Sequence, residues 1–97
     1  MGENNTKVIV RTEKAGVFYG EIESRNGSEV KMKDARCLWY WDGAASLMEL
    51  AKHGVKRPEN CKFTVTVSEI FLLGVCEILL CSEEATVSIE GVKEWRA

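Results

Sequence analysis

The sequence is poor in the residues on which most catalytic and metal sites depend. It contains one histidine, His53, and one proline, Pro58, in 97 residues. Its four cysteines, at positions 37, 61, 76 and 81, form no CxxC pair, although zinc sites are commonly built from such closely spaced pairs. GxSxG, HExxH, Walker and GxGxxG patterns are also missing, and these are common signatures of hydrolases, metalloproteases and nucleotide-binding enzymes. The sequence therefore favours a protein that is not an enzyme and needs no cofactor.

Long apolar runs and charge of one sign are lacking too. The longest apolar run, at residues 70–75, is too short to span a bilayer, and the polar start at residues 1–6 precedes no secretory core. The net charge is −2 without a run of Lys or Arg, so neither a membrane nor direct nucleic-acid binding is expected. With 45% apolar and 29% charged residues, we predict one globular domain at residues 7–97 after a flexible segment at 1–6.

The most informative stretch is residues 36–54, where aromatic residues lead into an amphipathic pattern. Residues 36–41 favour a strand, with Leu38 and Tyr40 on one face and Cys37, Trp39 and Trp41 on the other. Asp42 is a candidate N-cap for a helix at residues 43–53. Gly54 stands where a left-handed residue usually ends a helix. The apolar stripe of this predicted helix consists of Ala44, Leu47, Leu50 and Ala51.

The remaining pattern predicts an α+β fold with the order β-β-β-β-α-β-β-α. We expect a curved antiparallel sheet or small β-barrel of about six strands with two short helices. A second helix is expected to begin after Ser82 and end at Gly91, with Val92 and Trp95 folding back. The predicted strands cover residues 7–12 (Val8 and Val10 inward), 17–24, 28–33, 36–41, 62–67 (Phe63, Val65 and Val67 inward) and 70–81, which bends at Gly74.

The hairpin between the second and third strands contains Arg25-Asn26-Gly27. A two-residue Asn-Gly turn would mix apolar and charged residues on both faces, whereas a three-residue loop with Gly27 left-handed separates them. We therefore predict the three-residue loop. Its cross-strand pairs would be Ile22 with Val30, Gly20 with Met32, and Glu21 with Lys31.

Trp39, Tyr40 and Trp41 are consecutive, so large rings are expected on both faces of their strand. One face can be core, and the other must be covered by a helix, by Trp95, by a partner subunit or by a ligand. If the rings bind a partner, Arg36 and Asp42 would supply polar contacts beside them. The candidate binding residues are Arg36, Trp39, Tyr40, Trp41 and Asp42.

The metal and catalytic alternatives are weaker. His53 and the cysteines at 61, 76 and 81 could supply four ligands, but buried, reduced thiols are favoured over zinc because the spacing is wide. The place of His53 in the last turn of a helix already accounts for it, since a cation is favoured there. We predict no metal site.

Four segments carry a resemblance to a known family: VRTEKAGVFYGEIESRNGSEV, DARCLWYWDGAASLMELAKHGV, RPENCKF and CEILLCSEEATVSIEGVKEW. They resemble small proteins of tailed bacteriophages and prophages that are classed as a domain of unknown function. The similarity runs from about Lys7 to Trp95, and its most specific parts are AGVF at 15–18, LWYWDGAASL at 38–47 and residues 88–95. The resemblance implies a phage-encoded protein in the host bacterial cytoplasm and supplies no site residues.

Three functions follow as hypotheses. The first is an accessory protein that binds and inhibits a host factor, expected to be defence-related. The second is a homo-oligomeric sponge that sequesters a nucleotide immune signal near Arg36 and Tyr40. The third is a virion or nucleic-acid-processing component, although the acidic balance of the chain disfavours direct nucleic-acid binding.

Overall fold

The computed structural model describes residues 6–97, and its framework is a curved antiparallel sheet of six strands with two helices. The α+β class predicted above is confirmed. Except for Thr6, the predicted flexible segment 1–6 lies outside the described residues. The elements in chain order are β1 (Val8–Thr12), β2 (Val17–Asn26), β3 (Glu29–Tyr40), α1 (Leu47–His53), a 3-10 helix (Pro58–Asn60), β4 (Lys62–Phe63), β5 (Val67–Leu72), β6 (Val75–Leu80) and α2 (Glu83–Glu90).

The sheet is open rather than closed into a barrel. Four strands follow in the order β6-β1-β2-β3. Two further strands pair with the other side of β3: β5 pairs with residues 30–35, and β4 pairs with residues 38–40. Leu73 and Gly74 join β5 to β6 although these two strands lie on opposite edges. The sheet must therefore curl, yet within residues 6–97 β5 and β6 do not pair with each other.

Each face of the sheet carries its own core. The helix-side core lies between the sheet and the two helices, and the inner core lies inside the curl. The prediction that Val8 and Val10 face a core is confirmed, and Ile9 between them is equally buried on the other face. The helix-side core includes Ile9, Tyr19, Leu38, Leu50, Phe63, Ala85 and Ile89, and the inner core includes Val8, Val10, Phe18, Val30, Met32 and Leu72.

Asp34 allows one strand to serve both cores. It has a left-handed backbone (φ 53°) in the middle of β3, so the predicted strands 28–33 and 36–41 are one strand with an internal irregularity. Before Asp34, Val30 and Met32 point to the inner core; after it, Leu38 points to the helix-side core. A regular strand would send all three side chains to one face, because they are an even number of residues apart.

The predicted hairpin register is wrong. The loop has two residues, Gly27 and Ser28, and pairs Asn26 with Glu29. Gly27 is left-handed as predicted (φ 63°), but it is the first central residue, where type II′ turns place glycine. The prediction assumed that inward and outward side chains alternate regularly along β2. The register shifts between Ile22 and Ser24 instead, and such an irregularity resets the alternation. The observed pairs replacing the predicted ones are Ile22 with Met32 and Glu21 with Lys33.

The predicted strand at 62–67 is interrupted. Phe63 is buried as predicted, but Val65 and Val67 are exposed, so their inward assignment is wrong. The chain leaves the sheet after Phe63, where the Thr64 hydroxyl accepts a hydrogen bond from the backbone N–H of Cys37 (2.9 Å). The predicted bend at Gly74 (φ 72°) is confirmed, and it divides the apolar run at 70–81 between the end of β5 and β6.

Helix α1 is shorter than predicted. It begins at Leu47 instead of residue 43, and its N-cap is Ser46, whose hydroxyl accepts from the backbone N–H of Glu49 (3.1 Å). Ser46 and Glu49 have the spacing of a capping box, a signal that the choice of Asp42 overlooked. The predicted end at Gly54 is confirmed.

Helix α2 agrees with its prediction at both ends. Ser82 is the N-cap, with its hydroxyl accepting from Ala85 N–H, and Gly91 is the C-cap. The same Ser82 hydroxyl donates to the carbonyl of Lys52 (2.6 Å), so the start of α2 is fixed against the end of α1. No helix in residues 6–97 combines the length and apolar character needed to cross a bilayer.

Gly54 and Gly27 form a matched pair for testing the packing of α1 against α2. Both have positive φ, but an added Cβ at Gly54 would overlap Ser88 of α2, whereas at Gly27 it would meet nothing. We expect Gly27→Ala to lower the free energy of unfolding by about 1 kcal/mol through backbone strain alone. Gly54→Ala should lower it by about 3 kcal/mol or more, because the helices must also separate. Urea unfolding measures both; equal losses would contradict the close approach.

Candidate functional site

The most unusual surface feature is a pair of tryptophan rings that stack on each other and remain exposed. The rings of Trp39 and Trp95 have centroids 6.2 Å apart and planes 17° apart. Trp39 is 66% exposed and Trp95 is 44% exposed. Tyr40, 52% exposed, pairs across strands with Lys62, whose ammonium lies 5.5 Å from the Trp95 ring centroid. We call Trp39, Tyr40, Lys62 and Trp95 the aromatic surface.

Backbone contacts place Trp95 on this surface. Glu94 forms a parallel bridge with Phe63 of β4, and the N–H of Trp95 donates to the Phe63 carbonyl (2.8 Å). Val92, three residues earlier, is buried in the helix-side core. The C-terminal segment therefore folds back as predicted, but Trp95 covers its neighbour only in part.

Trp41 differs from the other two rings of its segment. It is partly buried and packs against the helix-side core, to which Leu38 also belongs. The predicted alternation, which placed these two residues on opposite faces, is therefore wrong at Trp41. The register of β3 against β4 shifts between Leu38 and Tyr40, and such an irregularity resets the two-residue alternation. The prediction that Tyr40 shares a face with Leu38 is wrong for the same reason, since Leu38 is buried and Tyr40 is exposed.

Arg36 lies below the aromatic surface and not on it. It is 6% exposed, and its guanidinium donates to four backbone carbonyls. Burial lowers the pKa of the guanidinium, with opposition from nearby carboxylates of which Glu94 is the strongest. Arg36 therefore supports the aromatic surface through backbone carbonyls, and its small exposed part lines a separate hollow with Tyr19 and Glu90. The acceptors are Thr64 (3.0 Å), Ile89 (3.1 Å), Val92 (3.0 Å) and Phe63 (3.1 Å).

Asp42 also has a positioning role. Its carboxylate accepts from Arg57 Nε and from Asn60 Nδ2, both at 2.9 Å. The Asn60 amide, followed by Arg57, holds the pKa of this carboxyl below its ordinary value. The prediction that Asp42 caps α1 is therefore wrong. Asp42 instead fixes the loop before β4 to the end of β3.

The residues considered for metal binding or catalysis are dispersed. Within residues 6–97, no three His, Cys, Asp or Glu side chains are grouped so that they could hold a metal ion. Cys61 is buried but Cys76 is exposed, so the expectation that all the thiols are buried is wrong for Cys76. His53 Nδ1 lies 3.2 Å from Glu84 Oε1, which links the end of α1 to the start of α2.

Two hollows adjoin these residues. A groove of about 450 Å³ runs from Trp95 between Pro58 and Lys93, so the aromatic surface continues into a concave region. A smaller hollow of about 200 Å³ is lined by Lys7, Tyr19 and Glu90 among others. There the Tyr19 hydroxyl donates to Glu90 Oε2 (2.6 Å), and burial raises the pKa of Tyr19. This pairing leaves the larger groove as the better extension of the aromatic surface.

Comparison with known proteins assigns the chain to a family. A family described as a domain of unknown function (DUF6948) matches residues 5–89. This chain belongs to the DUF6948 family. No curated protein and no solved structure matches the chain. The DUF6948 match includes Trp39, Tyr40 and Lys62 and ends before Trp95.

Sequence reasoning identified most of the aromatic surface but missed one member. Trp39 and Tyr40 were predicted, and Trp95 was expected to fold back, but Lys62 was not considered. The sequence offered little indication of Lys62, because we predicted one strand at residues 62–67. In the structure Lys62 belongs to the two-residue strand β4, which is separate from β5 and pairs with Tyr40. Arg36 was recognised as important, yet the sequence alone does not show that its partners are carbonyls.

Arg36→Lys tests the positioning role of the guanidinium. Lysine presents a compact ammonium and cannot reproduce the planar fork that reaches four carbonyls, so we expect a loss of about 3 kcal/mol in the free energy of unfolding. Arg25→Lys is the matched control, because exposed Arg25 has a single bond to Gly27 O (3.3 Å); it should change stability by about 0.5 kcal/mol or less. Chemical denaturation measures both, and similar values would contradict the assigned role.

Asp42→Asn tests the carboxylate by its pH dependence. A carboxyl whose pKa is lowered in the folded state stabilises the fold above its unfolded pKa of about 3.9, and this contribution is lost as the pH falls through the folded value. Wild type should therefore be more stable than Asp42→Asn at neutral pH, and the difference should vanish at strongly acidic pH. In an Arg57→Gln background the difference should shrink, because one donor is gone. A pH-independent difference would contradict this interpretation.

Proposed function

We propose that this DUF6948 protein is a non-enzymatic accessory protein, encoded by a tailed bacteriophage or prophage, that binds and inhibits a host defence-related factor in the bacterial cytoplasm. One observation carries the binding part of the proposal: Trp39 and Trp95 stack on each other yet remain 66% and 44% exposed. Tryptophan is enriched among the residues that dominate protein interfaces. A preformed pair has less freedom to lose on binding than separate flexible side chains.

The surroundings of the pair favour a protein partner over a nucleic acid. Charges of both signs lie beside Trp95, since Lys62 is close to its ring and Glu94 precedes it with Arg96 Nε 3.9 Å away. A surface that follows a phosphate backbone needs clustered positive charge instead. The groove that extends from Trp95 is concave, which suits an inserted side chain or peptide segment.

The nucleotide-sponge alternative has less support. It required a phosphate-binding cation near Tyr40, and Arg36 was the candidate. Four carbonyls already occupy the Arg36 guanidinium, and Lys62 already lies over Trp95. If a base stacked on Trp39, neither of these two cations would be left free to bind the phosphate of the nucleotide. We therefore place the nucleotide second.

Inhibition by occupation is the mechanism that these features support. The aromatic surface lies at the end of β3, where Arg36 and Asp42 fix the loops and the C-terminal segment below it. A rigid apolar patch with a polar rim can cover the working surface of another protein without any chemistry of its own. The phage provenance, and with it the choice of a host factor as the partner, rests on the sequence resemblance described above.

Trp39→Ala tests this function directly. A tagged chain, incubated with lysate of a bacterium that carries the parent phage or prophage, should retain a defined host protein in comparable molar amount. Trp39→Ala should weaken the purified complex by roughly 30-fold, since truncating a central ring at an interface commonly costs about 2 kcal/mol. Calorimetry on the purified pair gives the number.

The control is Val87→Ala, which also truncates an exposed apolar side chain but lies on α2. It should leave affinity unchanged. If no host protein is retained, or if both variants bind like wild type, the proposed interface is wrong. A thermal shift with cyclic nucleotides that Trp39→Ala abolishes would replace the protein partner by the nucleotide.

A further inference from the structure

The outer edge of β5 is the second unusual surface, and it is distinct from the aromatic surface. β5 (Val67–Leu72) pairs along one side with residues 30–35 of β3, whereas Trp39 and Tyr40 lie at the far end of β3. Within residues 6–97, no strand pairs with the other side of β5. An unpaired edge presents backbone donors and acceptors that can accept another strand.

Apolar side chains follow this edge on one face. Within β5, Val67 and Phe71 are exposed, Phe71 at 71%, and the residues that flank the strand, Val65 and Leu73, are exposed as well, Leu73 at 65%. Edge strands in monomeric proteins are commonly protected by lysine, proline or extreme shortness. β5 has six residues and one charge, Glu69, so these protections are weak. The exposed members of the row are Val65, Val67, Phe71 and Leu73.

We propose that two copies of this chain associate by pairing β5 with β5 in antiparallel orientation, centred on Ile70. This inference is independent of the proposed function. A twofold axis perpendicular to the sheet makes the contact the same on both copies. The pairing continues the sheet of one copy into the other and buries both free edges. In this register Ile70 faces Ile70 of the second copy, Val67 faces Leu73, and Glu69 faces Phe71.

The register follows from side-chain direction and charge. With the twofold axis perpendicular to the sheet, two residues that lie opposite each other point to the same face. An odd-numbered residue therefore pairs with an odd-numbered one, and an even-numbered residue with an even-numbered one. Centring the axis on Glu69 would set two carboxylates opposite each other, which is destabilising. Centring it on Phe71 would place Glu69 opposite Leu73 and shorten the paired segment. The Ile70 register avoids both problems and pairs exposed Val67 with exposed Leu73.

Charge complementarity also favours a second copy as the occupant. Lys31, beside Phe71 on β3, has its ammonium 5.4 Å from the Phe71 ring centroid. The same ammonium lies 3.6 Å from Glu69 Oε2 and 3.7 Å from Glu23 Oε1 of its own chain. The proposed register sets Glu69 of the second copy on the other side of Phe71. Each copy would then add a carboxylate next to the Lys31 of its partner, so that opposite charges surround the apolar row.

Sedimentation velocity across a range of protein concentrations tests the association. We expect a monomer–dimer equilibrium for wild type. The double variant Val67→Lys with Phe71→Lys should weaken the dimer by on the order of 30-fold or more, since it puts charge into the apolar row. Leu80→Lys is the control, because Leu80 is equally exposed but lies on β6, and it should leave the equilibrium unchanged. A monomer at all concentrations, or equal weakening by the control, would overturn the proposal.

Disulfide cross-linking tests the register and does not depend on the folding of the charged variant. In a Cys76→Ser background, which removes the exposed native thiol, Ile70→Cys should form a covalent dimer under mild oxidation. Residues directly opposite in antiparallel strands have Cα atoms about 4.5–5.5 Å apart, within the range that a disulfide spans. Ser68→Cys should remain monomeric, because the two copies of residue 68 would be roughly 13 Å apart or more. Cross-linking of Ser68→Cys without Ile70→Cys would overturn the register.

Discussion

The buried guanidinium of Arg36 is the interaction on which the aromatic surface of this protein depends. From the middle of β3 it reaches the carbonyls of Phe63 in β4 and of Thr64 just after it, and those of Ile89 in α2 and of Val92 just beyond that helix. Buried carbonyls need donors, and here one side chain of β3 supplies donors to two other segments, at residues 63–64 and 89–92. The position of Val92 then determines where the chain continues, and three residues later Trp95 meets Trp39. An exposed aromatic pair is thus held by a buried cation that does not belong to the surface itself.

The second constraint is that the central strands are buried on both faces. The helices cover one face, and the sheet covers the other face by curling on itself. Asp34, left-handed within β3, transfers the apolar positions of that strand from the inner core to the helix-side core. The curl brings the ends of β5 and β6 together at Gly74 but leaves their edges unpaired in the described part of the chain. Two exposed apolar surfaces remain as a result: the aromatic surface at one end of β3 and the edge of β5 beside its other end.

The sequence predicted the fold class and both ends of α2, because capping serines, terminal glycines and alternating apolar residues act locally. It failed where the alternation is reset, at Asp34, near Glu23 and between Leu38 and Tyr40, since an irregularity of one residue leaves no compositional signal. It also failed at Asp42, where a capping aspartate and a loop-fixing aspartate look identical until Arg57 and Asn60 are placed beside it. For the site, Trp39 and Tyr40 could be predicted, but the burial of Arg36 and the approach of Lys62 depend on contacts distant in sequence.

The central claim is that the stacked pair of Trp39 and Trp95 contacts a host protein. Site-specific photo-cross-linking in living bacteria tests it most directly: a photoreactive phenylalanine analogue is placed at position 39 and, as a control, at position 87, which is equally exposed on α2. The account predicts one covalent adduct of defined mass with a host protein from position 39 and none from position 87. No adduct from position 39, or the same adducts from both positions, would contradict it.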